Sequence, residues 1–101
     1  MTVVGVRVQI VRFVDDAFPG FVECELIDAH GRRWLFVDKG PVVTTEYLTA
    51  HDSYPQPGVI ACEVVGRANC IVQIDTTRPW SVESTEGQTR FQVTEESLVE
   101  W

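Results

Sequence analysis

Short apolar and β-branched runs follow one another along the whole chain, separated by clusters of Gly, Pro, Asp and Asn. The runs cover residues 3–14, 21–28, 32–38, 59–65, 69–76, 80–84 and 89–93. Runs of this length and spacing are typical of strands in a small β-sandwich or β-barrel. Because 101 residues can enclose one core, the pattern predicts a single all-β domain over residues 1–101, with about six or seven strands.

The first run indicates a bent strand. Apolar residues hold the even positions from Val4 to Ile10, and then Val11 and Phe13 take over the apolar phase. A change of phase within one strand is typical of a β-bulge, and a bent first strand often closes a small barrel. The order of a long strand, two strands, a short helix and two more strands matches the OB-fold, with an SH3-like barrel or an open meander as alternatives.

Three segments outside the main strands carry separate predictions. Thr44 or Thr45 can cap a single short helix near residues 44–50. Residues 54–57 begin with Tyr54 and have proline at alternate positions, so they should be extended. They could form a docking loop, or the loop could pack rigidly against the domain. Residues 78–101 are net acidic, with five glutamates against two arginines, and could form an appended hairpin against the barrel.

Residues 28–31 form a four-residue turn signal with Gly at its end, which predicts a hairpin between the second and third runs. Symmetric pairing across that turn sets Ile27 opposite Arg32. One face of the hairpin then collects the predicted core residues Val22, Cys24, Leu26, Leu35 and Val37. The other face collects Phe21, Glu23, Glu25, Trp34 and Phe36, and so combines large aromatic side chains with carboxylates.

This second face is the candidate binding surface, together with Tyr54 in the proline-rich loop. Trp34 and Phe36 could stack on a ligand, while Glu23 and Glu25 would repel a phosphate chain. A basic peptide fits the combination better, through cation–π contact and salt pairing. The alternative is that the short helix, the acidic tail or a second subunit covers the face.

The charge balance supports the same class of partner. Fifteen acidic residues oppose eight basic ones, and the formal net charge is -7. Such a balance argues against general attraction to nucleic acid or to anionic membranes and suits a basic protein partner. No apolar run approaches the roughly 20 residues of a membrane span, and no export signal is recognisable, so we expect a cytoplasmic protein.

The residue types that usually identify a reaction are isolated. Cys24, Cys62 and Cys70 lack the CxxC spacing of a zinc site, and we expect them to be reduced, buried thiols. A turn at residues 66–69 would place Cys62 and Cys70 on opposite faces of a second hairpin, which argues against a disulfide between them. Residues 51–53 read His-Asp-Ser, but sequence neighbours cannot align as a catalytic triad. The sequence predicts no enzyme, no metal and no cofactor.

Three stretches, at residues 33–39, 53–58 and 78–84, are similar to short stretches in a family of small hypothetical bacterial proteins of about this length. The resemblance implies a bacterial source. That family has no assigned activity, so the resemblance transfers no functional residue to this chain.

These observations predict a non-catalytic interaction module that binds a basic protein partner, in an oligomeric state that the sequence leaves open. Small acidic immunity proteins that neutralise toxins are an analogy of charge and size. The alternative is a binder of a small ligand or of single-stranded nucleic acid through the face of Trp34 and Phe36. An enzyme would need a site assembled from residues such as Asp38, His51 and Cys62. Binding of a basic partner should weaken with salt, while stacking on Trp34 should persist.

Overall fold

A computed structural model describes residues 3–101 of the chain. In this range one antiparallel sheet curls into a half-barrel, which confirms the predicted all-β fold. Its strands are β1 (Val3–Asp15), β2 (Phe21–Ile27), β3 (Arg33–Lys39), β4 (Gln56–Ala68), β5 (Ile71–Asp75), β6 (Arg90–Thr94) and β7 (Leu98–Val99). The strand order is β3-β2-β1-β4-β5-β6, and β7 pairs with β1. A helix α1 (Gly40–Val43) and a 3-10 turn (Glu95–Ser97) complete the described elements.

The long strand β1 organises the sheet because both of its edges are paired. Residues Val3 to Ile10 pair with β4, and the strand pairs with β2 from Gln9 to Asp15. The register with β2 slips between Ile10 and Arg12, so Val11 has no partner there. The predicted bulge after Ile10 is therefore confirmed, and it bends β1 at the point where its main partner changes.

The hairpin of β2 and β3 has a different register from the predicted one. Ile27 pairs with Arg33 rather than Arg32, because five residues rather than four lie between the strands. Asp28 closes this longer loop, since its N–H donates to the Arg32 carbonyl oxygen at 2.9 Å and its Oδ1 accepts the N–H groups of His30 and Arg32, each at 2.9 Å. A shift of one residue turns every side chain of the strand to the opposite face.

The predicted position of Trp34 and Phe36 on the face opposite the core is therefore wrong. Their side chains are 9% and 1% exposed and belong to the core, while Leu35 is half-buried and Val37 is exposed on the outer face. The core collects alternate residues of six strands: Val6, Val8, Ile10, Val22, Cys24, Leu26, Trp34, Phe36, Ile60, Cys62, Val72, Ile74, Phe91 and Val93. Alternation of this kind is expected of a curled sheet whose inner face encloses a single core.

Phe91 joins the two ends of the curled sheet. Its ring lies 5.2 Å from the Trp34 ring, edge to face, and 5.5 Å from the Phe36 ring. We call this junction between β3 and β6 the seam. Two backbone hydrogen bonds reinforce it: the Ala29 N–H donates to the Gln92 carbonyl oxygen at 2.8 Å, and the Thr85 N–H donates to the Leu35 carbonyl oxygen at 2.8 Å. The edge strands β3 and β6 are thereby partly covered, which limits pairing with other chains.

The predicted hairpin over residues 78–101 does not form, because β6 and β7 pair with strands of the main sheet. Strand β6 pairs with β5, and β7 pairs with β1 through Gly5 opposite Val99. Phe91 and Val93 are apolar at alternate positions, so their burial requires β6 to extend the main sheet. Gly5 permits the approach of β7, because an added Cβ would lie 2.3 Å from the Val59 side chain and 3.0 Å from that of Val99.

The helix predicted near residues 44–50 lies earlier, at α1. Pro41 stands in its first turn, where a missing N–H does no harm. Thr44 is extended and ends α1, and its Oγ1 accepts the Glu46 N–H at 3.1 Å instead of capping a helix. The strand predicted over 80–84 is also absent, since Ser81 has a φ of 55°, outside the β region.

The second hairpin turns at Asn69 and Cys70 rather than at residues 66–69. Both residues have positive φ, 53° and 68°, as a two-residue type I′ turn requires. The expectation of free, buried thiols is thus confirmed for Cys24 and Cys62, while Cys70 is free but exposed at the turn.

The register of β3 yields a direct test in the neighbours Phe36 and Val37. Phe36→Ala should lower the free energy of unfolding by about 3–5 kcal/mol, because it opens a cavity in the core. The matched change Val37→Ala, on the outer face, should alter it by about 0.5 kcal/mol. Urea unfolding followed by circular dichroism measures both. Equal effects at the two positions would show that the observed register is wrong.

Candidate functional site

The structure separates the residues of the predicted aromatic and acidic face. Phe21, Glu23 and Glu25 are half-buried on the outer face of β2, whereas Trp34 and Phe36 lie inside. Both carboxylates are also occupied. Glu23 Oε1 lies 2.8 Å from Arg12 Nε, and Glu25 pairs with Arg33. The predicted combination of stacking rings and free carboxylates is therefore wrong at this face.

Tyr54 braces a loop from a half-buried position. Its hydroxyl donates to the Thr49 carbonyl oxygen at 2.7 Å, and its side chain packs against the core. Burial, with a smaller effect of the Asp52 charge, raises the pKa of Tyr54. Its structural role is thus to hold the loop that precedes β4.

A different surface combines exposed aromatic rings with carboxylates. Phe18, in the loop between β1 and β2, is 96% exposed, and Tyr47, in the segment after α1, is 86% exposed. Both line a cleft of about 240 Å³ at one end of the half-barrel. We call this the loop-end surface, and it consists of Phe13, Asp16, Phe18, Glu46, Tyr47 and His51.

The loop that carries Phe18 is ordered by its own backbone. Asp15 Oδ1 accepts the Ala17 N–H at 2.8 Å, and the Gly20 N–H donates to the Ala17 carbonyl oxygen at 2.6 Å. Gly20 has a φ of 93°, which other residues rarely adopt, and its carbonyl oxygen accepts the Gly40 N–H at 2.9 Å. The aromatic ring is consequently presented on a loop tied to the start of α1.

Hydrogen bonds also order the facing segment. Asp52 Oδ2 accepts the Thr49 N–H at 2.6 Å, and the Asp52 N–H donates to the Thr49 carbonyl oxygen at 3.2 Å. The Tyr54 hydroxyl bonds to the same carbonyl oxygen. Leu48 packs against the core, so the exposed Tyr47 directly precedes an anchored residue. Both walls of the cleft are preorganised, which lowers the entropy lost on binding.

The loop-end surface carries negative charge that no ion pair formed among residues 3–101 neutralises. Five ion pairs form among residues 3–101, and they engage Arg12, Arg32, Arg33, Arg67 and Arg90. Asp16 and Glu46 belong to none of these pairs. Lys39, opposite Phe21 in the ladder, is the basic residue next to this end of the sheet. The carboxylates are therefore available to an external cation.

Two clefts larger than the one at the loop-end surface lie elsewhere on the molecule. One, of about 330 Å³, opens at the seam between Trp34 and Phe91 and has a polar wall of Asp28, His30, Gln73, Gln88, Arg90 and Gln92. The other, of about 420 Å³, is mainly apolar and lies between α1, the start of β4 and Trp101.

Two of the three cysteine thiols are buried in the core. Burial raises the pKa of Cys62 to about 12, and burial with the charges of Asp38 and Glu23 raises that of Cys24 to about 12, so both thiols stay protonated. Within residues 3–101 no three His, Cys, Asp or Glu side chains are grouped so that they could hold a metal ion. In the same range, no helix is both long and apolar enough to cross a membrane.

The strand pattern did not identify Phe18 and Tyr47 as candidate binding residues, because both lie outside the strands. A signal was present, however, since large aromatic residues at loop positions cannot rely on sheet alternation for burial. Phe18 stands between Asp16 and Gly20 in a turn, and Tyr47 follows Glu46 in the segment between the third and fourth runs.

The ionised carboxylate of Asp28 should stabilise the fold in a pH-dependent way. Partial burial opposes its ionisation, but hydrogen bonds from Trp34 Nε1 and from the N–H groups of Arg32 and His30 outweigh that effect and lower the pKa of Asp28 below 3.8. Its contribution is full above pH 3.8 and is lost as the pH falls through the folded-state pKa. Asp28→Ala should lower the free energy of unfolding at pH 7 by about 2–3 kcal/mol.

Asp28→Asn is the matched control, since it keeps an acceptor oxygen and removes the titration. Urea unfolding between neutral and acidic pH should show a shallower acid loss for Asp28→Asn than for the native protein. A residual loss is expected in both, because the pKa of Asp75 is lowered as well. Burial raises that pKa, but hydrogen bonds from Thr77 and the nearby Arg90 outweigh the effect of burial. Identical acid profiles would contradict this role of Asp28.

The chain was compared with protein-family models, curated proteins and solved structures. None of them matches it at a significant level. This result is consistent with the resemblance to hypothetical proteins to which no function is assigned.

Proposed function

We propose that this protein is a non-catalytic interaction module that binds a basic protein partner through the loop-end surface. The observation that carries the proposal is the exposure of Phe18 and Tyr47, at 96% and 86%, beside two carboxylates outside the ion pairs found in residues 3–101. The site differs from the one predicted on β2 and β3, while the class of partner is the same.

Aromatic exposure of this extent favours binding because each ring offers apolar area to a partner. Full burial of a Phe side chain contributes about 1.5–3 kcal/mol, and aromatic residues are enriched at interface centres. Hydrogen bonds around Gly20 and Thr49 already order the two loops that carry the rings. Little ordering is then required when a partner covers them.

The charge of the chain supports a basic partner. A net charge of -7 accelerates association with a positively charged protein, and Asp16 and Glu46 concentrate negative charge beside the rings. Small acidic immunity proteins remain an analogy for such a module. Two buried thiols, at Cys24 and Cys62, support action in a reducing compartment such as the bacterial cytoplasm.

The apolar cleft beside Trp101 favours a second candidate function, the binding of a small ligand. Its volume of about 420 Å³ lies in the range of ligand pockets, roughly 300–1,000 Å³, and Val42, Pro57 and Val59 supply apolar walls. Single-stranded nucleic acid is less favoured, since Trp34 and Phe36 are buried and the net charge is negative.

Capture experiments with matched variants test the proposal. The native protein should retain a basic partner that is released as salt rises, because surface charges are screened. Phe18→Ser with Tyr47→Ser should lose that partner while the melting temperature stays unchanged, since both side chains are exposed. Quantitative mass spectrometry of the captured proteins at two salt concentrations provides the measurement.

Trp80→Ser is the aromatic control. Trp80 is 53% exposed, lies between β5 and β6, and does not line the clefts of the loop-end surface. For charge, Asp16→Asn with Glu46→Gln is compared with Glu83→Gln and Glu96→Gln. If the controls release the partner as completely as the loop-end variants, binding does not occur at the loop-end surface.

A further inference from the structure

The cleft between Phe18 and Tyr47 has the size of a site for one side chain. Its volume is about 240 Å³, below the roughly 300 Å³ at which pockets for small molecules begin. Leu48 and His51, in the segment between α1 and β4, line one side of the cleft, and Phe13 of β1 lines the other. A projecting side chain of a partner protein therefore suits the cleft better than a free ligand.

The walls of the cleft favour a cation. Two exposed aromatic rings offer faces with negative electrostatic potential, which attract ammonium or guanidinium groups. Asp16 lines the same cleft and belongs to none of the ion pairs formed among residues 3–101. A cation in the cleft would gain contact with a ring and a carboxylate together.

The same combination already holds an arginine within this molecule. The Arg32 guanidinium carbon lies 3.8 Å from the centroid of the Trp34 ring. Arg32 Nη2 also lies 3.1 Å from Glu86 Oε1, so a ring and a carboxylate bind one guanidinium group at the seam. The loop-end surface presents an aromatic ring and a carboxylate with no such arginine of its own.

We propose that this cleft receives an arginine side chain of the basic partner, stacked on Phe18 or Tyr47 and paired with Asp16. The inference rests on the proposed function and specifies the group that is recognised. Arginine suits the site better than lysine, because its planar guanidinium stacks on aromatic rings and is less strongly hydrated than an ammonium group.

A titration with defined peptides tests this proposal. Hexa-arginine amide is added to isotopically labelled protein, and backbone amide shifts in nuclear magnetic resonance spectra report the binding position. The amides of residues 16–18, of Gly20 and of residues 46–51 should shift most. Hexacitrulline amide, a neutral analogue of the same shape, should cause no such shifts, and hexalysine amide should bind more weakly.

Leucine variants isolate the contribution of the rings, because leucine keeps the apolar contact and removes the cation–π attraction. At least one of the variants Phe18→Leu and Tyr47→Leu should weaken the binding of hexa-arginine amide about two- to fivefold, and Trp80→Leu should leave it unchanged. Both loop-end residues are exposed, so the variants should fold as the native protein does.

Three results would overturn the inference. These are equal binding of hexa-arginine and hexalysine, undiminished binding in both leucine variants, and shifts confined to amides outside the loop-end surface. Each leaves the proposed function intact if the captured basic partner is still lost with the serine variants at Phe18 and Tyr47. Failure of the proposed function is separate, and it appears as partner capture that those serine variants do not reduce.

Discussion

The packing of Phe91 against Trp34 and Phe36 is the interaction on which the rest of the structure depends. An open sheet of this size would leave one large apolar face in water. The Phe91 ring lies 5.2 Å from the Trp34 ring and 5.5 Å from the Phe36 ring, measured between centroids. These contacts join β6 to β3, the two edge strands of the sheet, and turn that face into an enclosed core. Aromatic pairs in this geometry add about 0.5–1.5 kcal/mol beyond the area that they bury.

Closure of the seam fixes what remains outside. With the inner face filled by aliphatic and aromatic side chains, large apolar residues can contact solvent only on the outer face, at the strand ends and in the loops. The bent strand β1 ends at Asp15, and α1 follows β3 at the same end of the sheet. There the Gly40 N–H donates to the Gly20 carbonyl oxygen. The exposure of Phe18 and Tyr47 at one site follows from this connectivity.

Much of the strand pattern could be predicted from alternation, since the phase change after Ile10 corresponds to an observed bulge. The faces of β3 could not be predicted, because they depend on a single residue in the loop. The side chain of Asp28 stabilises a loop of five residues, and its Oδ2 also accepts a hydrogen bond from Trp34 Nε1 at 2.9 Å. Local turn statistics do not contain that contact between loop and core.

The candidate site was harder to predict than the fold, for a physical reason. Whether a loop aromatic such as Phe18 is covered depends on where distant segments pass, here the chain around Tyr47. The turn at Asn69 and Cys70 shows the same limit, because a bulge near Val64 shifts the hairpin beyond its apparent Gly signal. The excess of acidic residues, by contrast, is a property of composition alone, and it favoured a basic partner from the outset.

Exposed rings on ordered loops, beside carboxylates outside the ion pairs of residues 3–101, form the basis of the proposed interaction. Hydrogen–deuterium exchange of the protein with and without its captured basic partner tests this claim most directly. The proposal predicts slower exchange on binding in residues 13–20 and 44–54, with little change in β5 and β6. Protection confined to β5, β6 or the apolar cleft beside Trp101 would contradict it.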